Sequence, residues 1–396
     1  MGAGSGQPAA RGGVELADIF RAYGQSYRRH HRLPVSHLKV IEAVERCRTK
    51  ALGGHLQQCD ACGFERPAYN SCRNRHCPKC QSLAKVKWVD KQNSELLPTG
   101  YFHLVFTLPH QLNPLILVNK KPLINILFQS VWQTLAQFAR SRLGGSLGIT
   151  AVLHTWDQTL LDHFHLHCLV PAGALSFDRT RWVPARQNFL FPVKALSRVF
   201  RAKFLDSLKK SFEQNKLLFV AQIVPLANAE SLGALFNGLR KKPWVVYAKK
   251  PFGSPLHVLD YLGRYTHRVA LSNDRICSLH NGEVTFAYRD RKNQDRRKLM
   301  TLDAEEFIRR FLLHVIPKGF MRVRHYGFLA NHCKDCLSKC RQLMGLTPAP
   351  SQPPHRTTDE LMLALTGIDI HRCPRCLKGT LVWVSELAVS IPWNSS

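Results

Sequence analysis

The spacing of apolar residues along the chain predicts both helices and strands. Apolar positions recur at helical spacing over several stretches, namely 14–27, 36–50, 122–142, 195–214 and 229–239. Short apolar runs at 101–108 and 149–155 are instead typical of buried strands. We therefore expect an α+β fold in which a sheet carries helices on one side.

The histidine-rich stretch DHFHLHCLVPAG is the sharpest chemical signal in this pattern. His163, His165 and His167 occupy alternate positions, with Phe164 and Leu166 between them. Because side chains alternate sides along a strand, the three imidazoles would share one face and the two apolar side chains would enter a core. A His-X-His pair alone is usually an ordinary surface or core feature, but imidazoles gathered on a strand suit a divalent metal ion.

A second stretch, SPLHVLDYLGRYTHRVALSN, predicts a helix that begins with an N-cap serine followed by proline. Tyr261 and Tyr265 are four residues apart and would lie on one face of this helix. Arg264 and Arg268 lie close to that face and are candidates to bind a DNA strand. Tyrosines at this spacing are usually packing residues. The pair therefore indicates a function only in combination with the histidine stretch, the net charge and the cysteine motifs.

The chain after this helix shows two further elements. The dipeptide Asn281-Gly282 separates two strand-like runs, 275–279 and 283–289, and therefore predicts a β-hairpin. Residues 303–314 follow as an amphipathic helix.

Composition narrows the class of partner. The chain has 396 residues and a formal net charge of +29, which favours a polyanion, with nucleic acid ahead of an anionic membrane surface. The longest apolar runs are far shorter than the roughly 18 residues that span a bilayer, and the first residues lack the apolar core of a signal peptide. We therefore expect a cytoplasmic, nucleoid-associated protein with two or three cores.

Eight of the 13 cysteines form CxxC pairs, which indicates metal binding in a reducing compartment. The first two pairs are separated by 14 residues, close to zinc-ribbon spacing, and predict one structural zinc site of Cys59, Cys62, Cys77 and Cys80. Cys72 and His76 are spare ligands. Basic residues around the site would contact phosphate, chiefly Arg73, Arg75 and Lys79.

The C-terminal part carries the other two pairs, Cys333 with Cys336 and Cys373 with Cys376. A long, proline-rich linker separates them. The four cysteines are candidates for a second zinc site.

The signals together suit phosphodiester chemistry. Cleavage needs neutralised charge, a nucleophile and an in-line arrangement. A metal ion on histidines can polarise the phosphate, and a tyrosine can attack it to leave a covalent phosphotyrosine from which the strand can be rejoined. Two tyrosines on one helical face would allow two successive attacks.

The same residues resemble a known family, the two-tyrosine HUH transposases of rolling-circle insertion sequences, or IS91 family. The resemblance extends from about Pro34 to Gly379. It rests on the motifs SCRNRHCPKCQ, FTLPH, LHTWDQTLLDHFHLHCLVPAGAL, YLGRYTHRVALSN and HYGFLAN. One departure is Phe164, where family members often carry proline.

The resemblance implies a palm-type, ferredoxin-like antiparallel sheet, with the metal histidines on a central strand and the tyrosines on a helix. By that match His165 and His167 hold Mg²⁺ or Mn²⁺, and Tyr261 and Tyr265 form 5′-phosphotyrosine links with single-stranded DNA. His163 is a candidate third ligand; His257, Asp260 and His267 are others. Imidazole suits manganese better than magnesium.

We therefore expect four regions: a flexible basic N-terminus (1–33), a zinc-binding domain (34–95), an HUH nuclease domain (96–330) and a C-terminal region (331–396). The expected activity is a transposase that nicks and rejoins single-stranded DNA, with a host helicase as a candidate partner. The alternatives are a non-catalytic zinc-dependent DNA-binding regulator, a hydrolase that uses metal-bound water, and a replication initiator or relaxase with the same tyrosine chemistry. The sequence leaves the DNA sites and the oligomeric state open.

Overall fold

The structure is a computed structural model that describes residues 13–249, 258, 263, 269–290, 293–346 and 357–389. Within these residues the helices α1 to α10 are Leu16–His30, Val35–Arg46, Pro78–Glu95, Asn113–Val118, Lys120–Leu143, Val193–Glu213, Ala229–Lys241, Ala304–Leu313, Lys334–Leu343 and Thr358–Thr366. The strands β1 to β14 are Gly54–Cys59, Glu65–Tyr69, Tyr101–Thr107, Gly145–Ser146, Gly148–Trp156, Asp162–Pro171, Gly173–Ser176, Trp182–Pro184, Val246–Lys249, Ile276–His280, Glu283–Asp290, Arg296–Asp303, Val323–Gly327 and Leu381–Leu387. The fold is therefore mixed, as the apolar pattern predicts.

The main sheet has five strands in the order β13-β5-β6-β3-β9. Every neighbouring pair is antiparallel, and the histidine strand β6 lies at the centre. One face packs against α4, α5, α6 and α7 in the largest core of the described residues. Phe164 and Leu166 enter this core with exposed fractions of 1% and 0%. The prediction of an antiparallel sheet with helices on one side and the histidines on a central strand is confirmed.

A second core joins the start of the chain to a region far along it. Apolar side chains of α1 and α2 pack with those of α8, β10 and β11. Phe20 meets Phe311 edge to face, with 5.6 Å between ring centroids. The N-terminal helices thus contribute to the same packed unit as residues 270–315.

The predicted hairpin and helix after residue 270 are confirmed. Asn281 and Gly282 both have positive φ, 47° and 83°, as a tight hairpin turn between β10 and β11 requires. Asp303 caps α8 by accepting hydrogen bonds from the N–H groups of Glu305 and Glu306. The structure adds β12, which pairs with β11 to complete a three-stranded sheet.

The C-terminal strand β14 lies in the same sheet as two strands from the N-terminal part of the chain. β14 pairs with β1, which also pairs with β2, so residues from both ends of the chain share one antiparallel sheet. Residues 381–387, which fall in the expected C-terminal region, make their backbone hydrogen bonds to the segment 54–59. Within the described part of the chain, no helix combines the length and apolar character needed to cross a membrane.

Candidate metal centres and nucleic-acid interface

Three histidines of the main sheet come together on the face opposite the helices. The register of the β5–β6 hairpin places His154 directly across from His165, and His167 lies two residues farther along β6. One ring nitrogen from each of the three lies within 4.8 Å of the other two. The rings are buried, with exposed fractions of 3% for His154 and 8% for each of the others. The structure therefore unites His165 and His167 with a third imidazole.

The turn between β5 and β6 sets this register. Asp157 Oδ1 accepts hydrogen bonds from the backbone N–H groups of Thr159 at 2.7 Å and Leu161 at 2.9 Å. An aspartate that bonds to the backbone two residues ahead is a strong turn former. The turn returns the chain so that the two histidine-bearing strands lie side by side.

Hydrogen bonds orient His165 and His167 of β6. His165 Nδ1 donates to the carbonyl oxygen of His163 at 2.8 Å, and His167 Nδ1 lies 2.9 Å from His103 Nε2. The Nε2 atoms of His165 and His167 then face each other 3.1 Å apart. This separation suits two adjacent ligands of one ion, whose bonds to imidazole are about 2.0–2.1 Å long for zinc-like metals.

His103 on β3 supports this orientation. A metal ion on Nε2 of His167 requires the proton on Nδ1, and His103 Nε2 is the acceptor for it. Burial, reinforced by the charge of Lys249, lowers the pKa of His103 to about 3, so this imidazole is neutral and can accept. The sequence pattern did not identify His103, because it lies on another strand 64 residues before His167.

His163 occupies a different position from the one expected of a third ligand. It lies on the histidine face and contacts the rings of His165 and His110, with centroids 4.6 Å and 5.5 Å away. The three-histidine group nevertheless contains His154 in its place. The reason is the hairpin register, which brings a residue of β5 closer to the pair than the end of β6 does.

A cavity of about 940 Å³ opens in front of the histidines. Its described lining includes the histidine face of the main sheet and the β10–β12 sheet across from it. The cationic side chains among these residues are Lys249, Arg275, Arg289 and Arg297, against the acidic Asp274 and Asp295. The excess of positive charge suits a phosphate-bearing ligand.

The predicted tyrosine pair lies outside the described residues, as do Arg264, Arg268 and the other candidate ligands His257, Asp260 and His267. Between residues 250 and 268, Val258 and Gly263 are described, and both are helical. Val258 is fully buried against Tyr101 and Leu169, the latter on the histidine strand.

Gly263 approaches helix α3 closely. A Cβ atom added to it would lie 3.0 Å from Lys85 Cε and 3.1 Å from Val89 Cγ2. Val258 and Gly263 stand on either side of Tyr261 in the sequence, and Leu169 has the same strand parity as His165 and His167. Val258 therefore contacts the histidine face of the sheet, and Gly263 contacts helix α3, which flanks that face.

The first cysteine cluster contains Cys47, Cys72, Cys77 and Cys80. Three Sγ–Sγ contacts within it measure 3.6 Å. A tetrahedral zinc site with bonds of about 2.3 Å separates its sulfurs by about 3.8 Å, so these thiols fit zinc. Contacts among the four thiols lower the pKa values of Cys80 and Cys47 and raise those of Cys72 and Cys77.

The second cluster contains Cys59, Cys62, Cys373 and Cys376. Cys59 Sγ lies 3.7 Å from Cys376 Sγ, and Cys62 Sγ lies 3.7 Å from Cys373 Sγ. Pairing of β14 with β1 ends at Cys59 and so brings the C-terminal CxxC knuckle beside the first one. These Sγ–Sγ distances fit a tetrahedral zinc site, as do those of the first cluster.

These clusters correct both predicted groupings. Cys59 and Cys62 do not join Cys77 and Cys80, and the Cys333–Cys336 pair does not join Cys373 and Cys376; within the described residues it belongs to neither cluster. The spare ligand Cys72 takes part, whereas Cys47 was missed because it has no CxxC partner. His76 lies outside both groups.

Two of the three predicted phosphate-contacting residues have partners within the protein. Arg75 donates to the carbonyl oxygen of Phe320 at 2.6 Å, and Lys79 forms an ion pair with Glu15. Arg73 is exposed. Arg75 and Lys79 therefore contribute to the junction of the zinc-binding segment with its neighbours.

Cysteine clusters, a histidine centre and a cationic cavity on one chain define a metalloprotein suited to a polyanionic ligand. A family model described as "Transposase zinc-binding domain", of the IS91 type, matches residues 19–108, and one described as "Putative transposase" matches residues 148–336. The cysteine clusters and the zinc-binding match support structural zinc.

Whole-chain comparisons agree with these matches. The chain is 47% identical over 382 residues to "Putative transposase y4qJ" of Sinorhizobium fredii, which covers 95% of this chain and 96% of that protein. It is 29% identical over 344 residues to "Transposase for insertion sequence element IS801" of Pseudomonas savastanoi pv. phaseolicola, covering 86% of this chain and 81% of that protein. No solved structure matches it. The chain belongs to the IS91 family of transposases.

Proposed function

We propose that the protein nicks and rejoins single-stranded DNA by tyrosine transesterification, with Tyr261 and Tyr265 as nucleophiles, and so drives rolling-circle-type transposition. The observation that carries the proposal is the packing of Val258 and Gly263, which flank Tyr261 in the sequence. Val258 contacts Leu169 on the histidine face, and Gly263 contacts α3 beside it. These two described residues, which flank Tyr261 in the sequence, support a position of the predicted tyrosine helix near the metal-binding side of the sheet.

The reaction conserves phosphoester bonds. The tyrosine oxygen forms a bond to phosphorus, the bond from phosphorus to the 3′ oxygen breaks, and the phenolic proton ends on the 3′-hydroxyl that leaves. The 5′-phosphotyrosine retains the bond energy, so attack by another 3′-hydroxyl rejoins a strand.

His154, His165 and His167 would hold the divalent ion. When bound, such an ion supplies positive charge to the phosphate oxygens. Three imidazoles favour manganese or a later metal over magnesium, which prefers oxygen ligands and keeps its waters. The side chains of Lys249, Arg289 and Arg297 line the cavity and would hold the flanking phosphates.

The test is a covalent adduct. We expect the zinc-loaded protein, incubated with manganese and single-stranded DNA from the ends of its element, to yield a protein–DNA band that resists denaturation. The Tyr261→Phe/Tyr265→Phe double variant should lose the band, and Tyr69→Phe, on β2 far from the histidines in the sequence, should keep it. A double variant that retains the band would overturn the assignment.

The same experiment separates the other candidate functions. Binding to DNA without cleavage under any metal would indicate a regulator. Free 5′-phosphate ends without an adduct would indicate hydrolysis by metal-bound water. An adduct formed only at a plasmid origin or transfer site would favour a replication initiator or relaxase.

A further inference from the structure

Tyr247 lies on the histidine face of the main sheet, on the edge strand β9. Its register partner on β3 is Val105, whose partner on β6 is His167. Residues opposite one another in a sheet project to the same side, so Tyr247 and His167 belong to one row across three strands. The next residue back, Val246, projects to the other side and is buried in the main core.

The ring of Tyr247 is half exposed, and it lines the cavity in front of the histidines. Two strand spacings, roughly 10 Å, separate its backbone from that of His167. This distance leaves room for a nucleotide between the aromatic ring and the metal centre. β9 is an edge strand, so no further strand among the described residues covers the outer side of Tyr247.

Lys249 accompanies Tyr247 on the same face. It is two residues farther along β9 and pairs in register with His103. The opposite wall of the cavity carries Tyr288, Arg289 and Arg297 from the β11–β12 hairpin. An exposed aromatic ring between cationic side chains is the arrangement that proteins use to bind single strands, because every base offers a face for stacking while the cations follow the phosphates.

We propose that Tyr247 is a base-stacking residue of the DNA site: its ring holds a nucleotide that flanks the reacting phosphate, and Lys249 contacts the phosphate of that nucleotide. The inference rests on the proposed function in taking single-stranded DNA as the ligand. It adds a sequence-tolerant contact that positions the strand beside the histidines, and it gives the phenol hydroxyl of Tyr247 no chemical role.

The experiment compares two probes, a short oligothymidine and an abasic strand of the same length, which has the same backbone without bases. Affinities are measured by fluorescence anisotropy with the full-length, zinc-loaded protein and without added manganese, so that cleavage does not interfere. We expect the wild type to prefer oligothymidine. Tyr247→Ala should reduce that preference on the order of tenfold, the typical effect of removing one stacking partner.

Matched variants define the role of the ring. Tyr247→Phe should keep the preference, because stacking needs the ring and not the hydroxyl. Phe189→Ala, which removes a ring of similar exposure (48%) outside the cavity lining, should leave it unchanged. Lys249→Gln should weaken both probes alike and lower the slope of log affinity against log salt by about 1.

Several outcomes would overturn the proposal. Equal binding of both probes by the wild type, or an unchanged preference in Tyr247→Ala, would exclude stacking by this ring. Equal losses in Tyr247→Phe and Tyr247→Ala would assign the effect to the hydroxyl. Failure of the proposed function can be distinguished from failure of this inference. The proposed function fails if the wild type forms no covalent adduct, whereas the preference between the two probes is measured without cleavage.

Discussion

His154 illustrates how the site depends on strand register and not only on the local spacing of residues. It completes the three-histidine group with His165 and His167, although it precedes the histidine strand and its turn. The hairpin register alone selects it, because a strand with period two offers every second residue to the same face. His163 has the correct parity but lies outside the group.

Replacement of His154 should therefore weaken metal binding more than replacement of His163. We expect His154→Ala to lower the affinity for manganese by about tenfold or more. Loss of a ligand should cost at least the lower end of the 10- to 100-fold range that is typical of residues supporting a ligand. Isothermal titration of the zinc-loaded protein with manganese measures the effect. His163→Ala is the matched control, and a larger loss in that variant would contradict the assignment of His154.

His103 should act by positioning its neighbour. We expect His103→Phe to reduce manganese affinity about 10- to 100-fold, because His167 loses the acceptor that fixes its tautomer. His103→Gln offers an acceptor oxygen and should restore part of the affinity. If Phe and Gln reduce affinity equally while thermal melting is unchanged, the hydrogen bond is not the cause.

At the scale of elements, the histidine hairpin is secured by its contact with α8. His314 follows the last residue of this helix; its Nε2 donates to the carbonyl oxygen of Leu160 at 3.0 Å, and its Nδ1 lies 3.3 Å from Thr155 Oγ1. The neutral imidazole satisfies both contacts, one as donor and one as acceptor. α8 thus holds the turn that sets the register of β5 and β6.

This contact predicts a pH dependence of stability. Burial lowers the pKa of His314 from 6.5 to about 4, with Lys120 acting in the same direction and Asp157 opposing it. Because the unfolded chain binds the proton more readily, the contribution is fully present above pH 6.5 and is lost as the pH falls toward 4. The loss is about 3 kcal/mol at most.

The measurement is the free energy of unfolding in urea between pH 7 and pH 4. We expect His314→Gln, which keeps a donor and an acceptor but does not titrate, to show a shallower decline than the wild type over this range. Parallel curves for the two proteins would show that His314 is not the group responsible.

At the scale of the whole molecule, the two ends of the chain meet in one small sheet. β14 completes the sheet of β1 and β2, and the second cysteine cluster takes two ligands from each end. A metal ion there closes a loop of more than 300 residues, the separation of Cys62 and Cys373. Closing so long a loop restricts the unfolded chain strongly.

Zinc content tests this arrangement. The wild type should carry two zinc ions per chain, one for each four-cysteine cluster. We expect the Cys373→Ser/Cys376→Ser variant to carry one and to melt at a lower temperature, as measured by mass spectrometry of the metal and by calorimetry. Cys333→Ser/Cys336→Ser is the control and should retain both ions; loss of zinc there would overturn the grouping.

The sequence by itself determined the local features. Alternation of apolar residues with histidines fixed which face of β6 enters the core, Asn281-Gly282 fixed a hairpin, and CxxC spacing identified metal ligands. Each depends on residues a few positions apart, which backbone geometry alone relates. The sequence motifs along the chain also identify the family. The assignment of the two tyrosines as nucleophiles rests on the same motifs and remains a prediction.

Only the tertiary structure decided which distant residues share a site. The choice of His154, the support from His103 and the division of cysteines between two clusters all depend on strand pairing across tens to hundreds of residues. A CxxC knuckle supplies half of a tetrahedral site and carries no information about its partner, since any second pair satisfies the same valence. Strand order and register, which follow from burial of whole faces, make that choice.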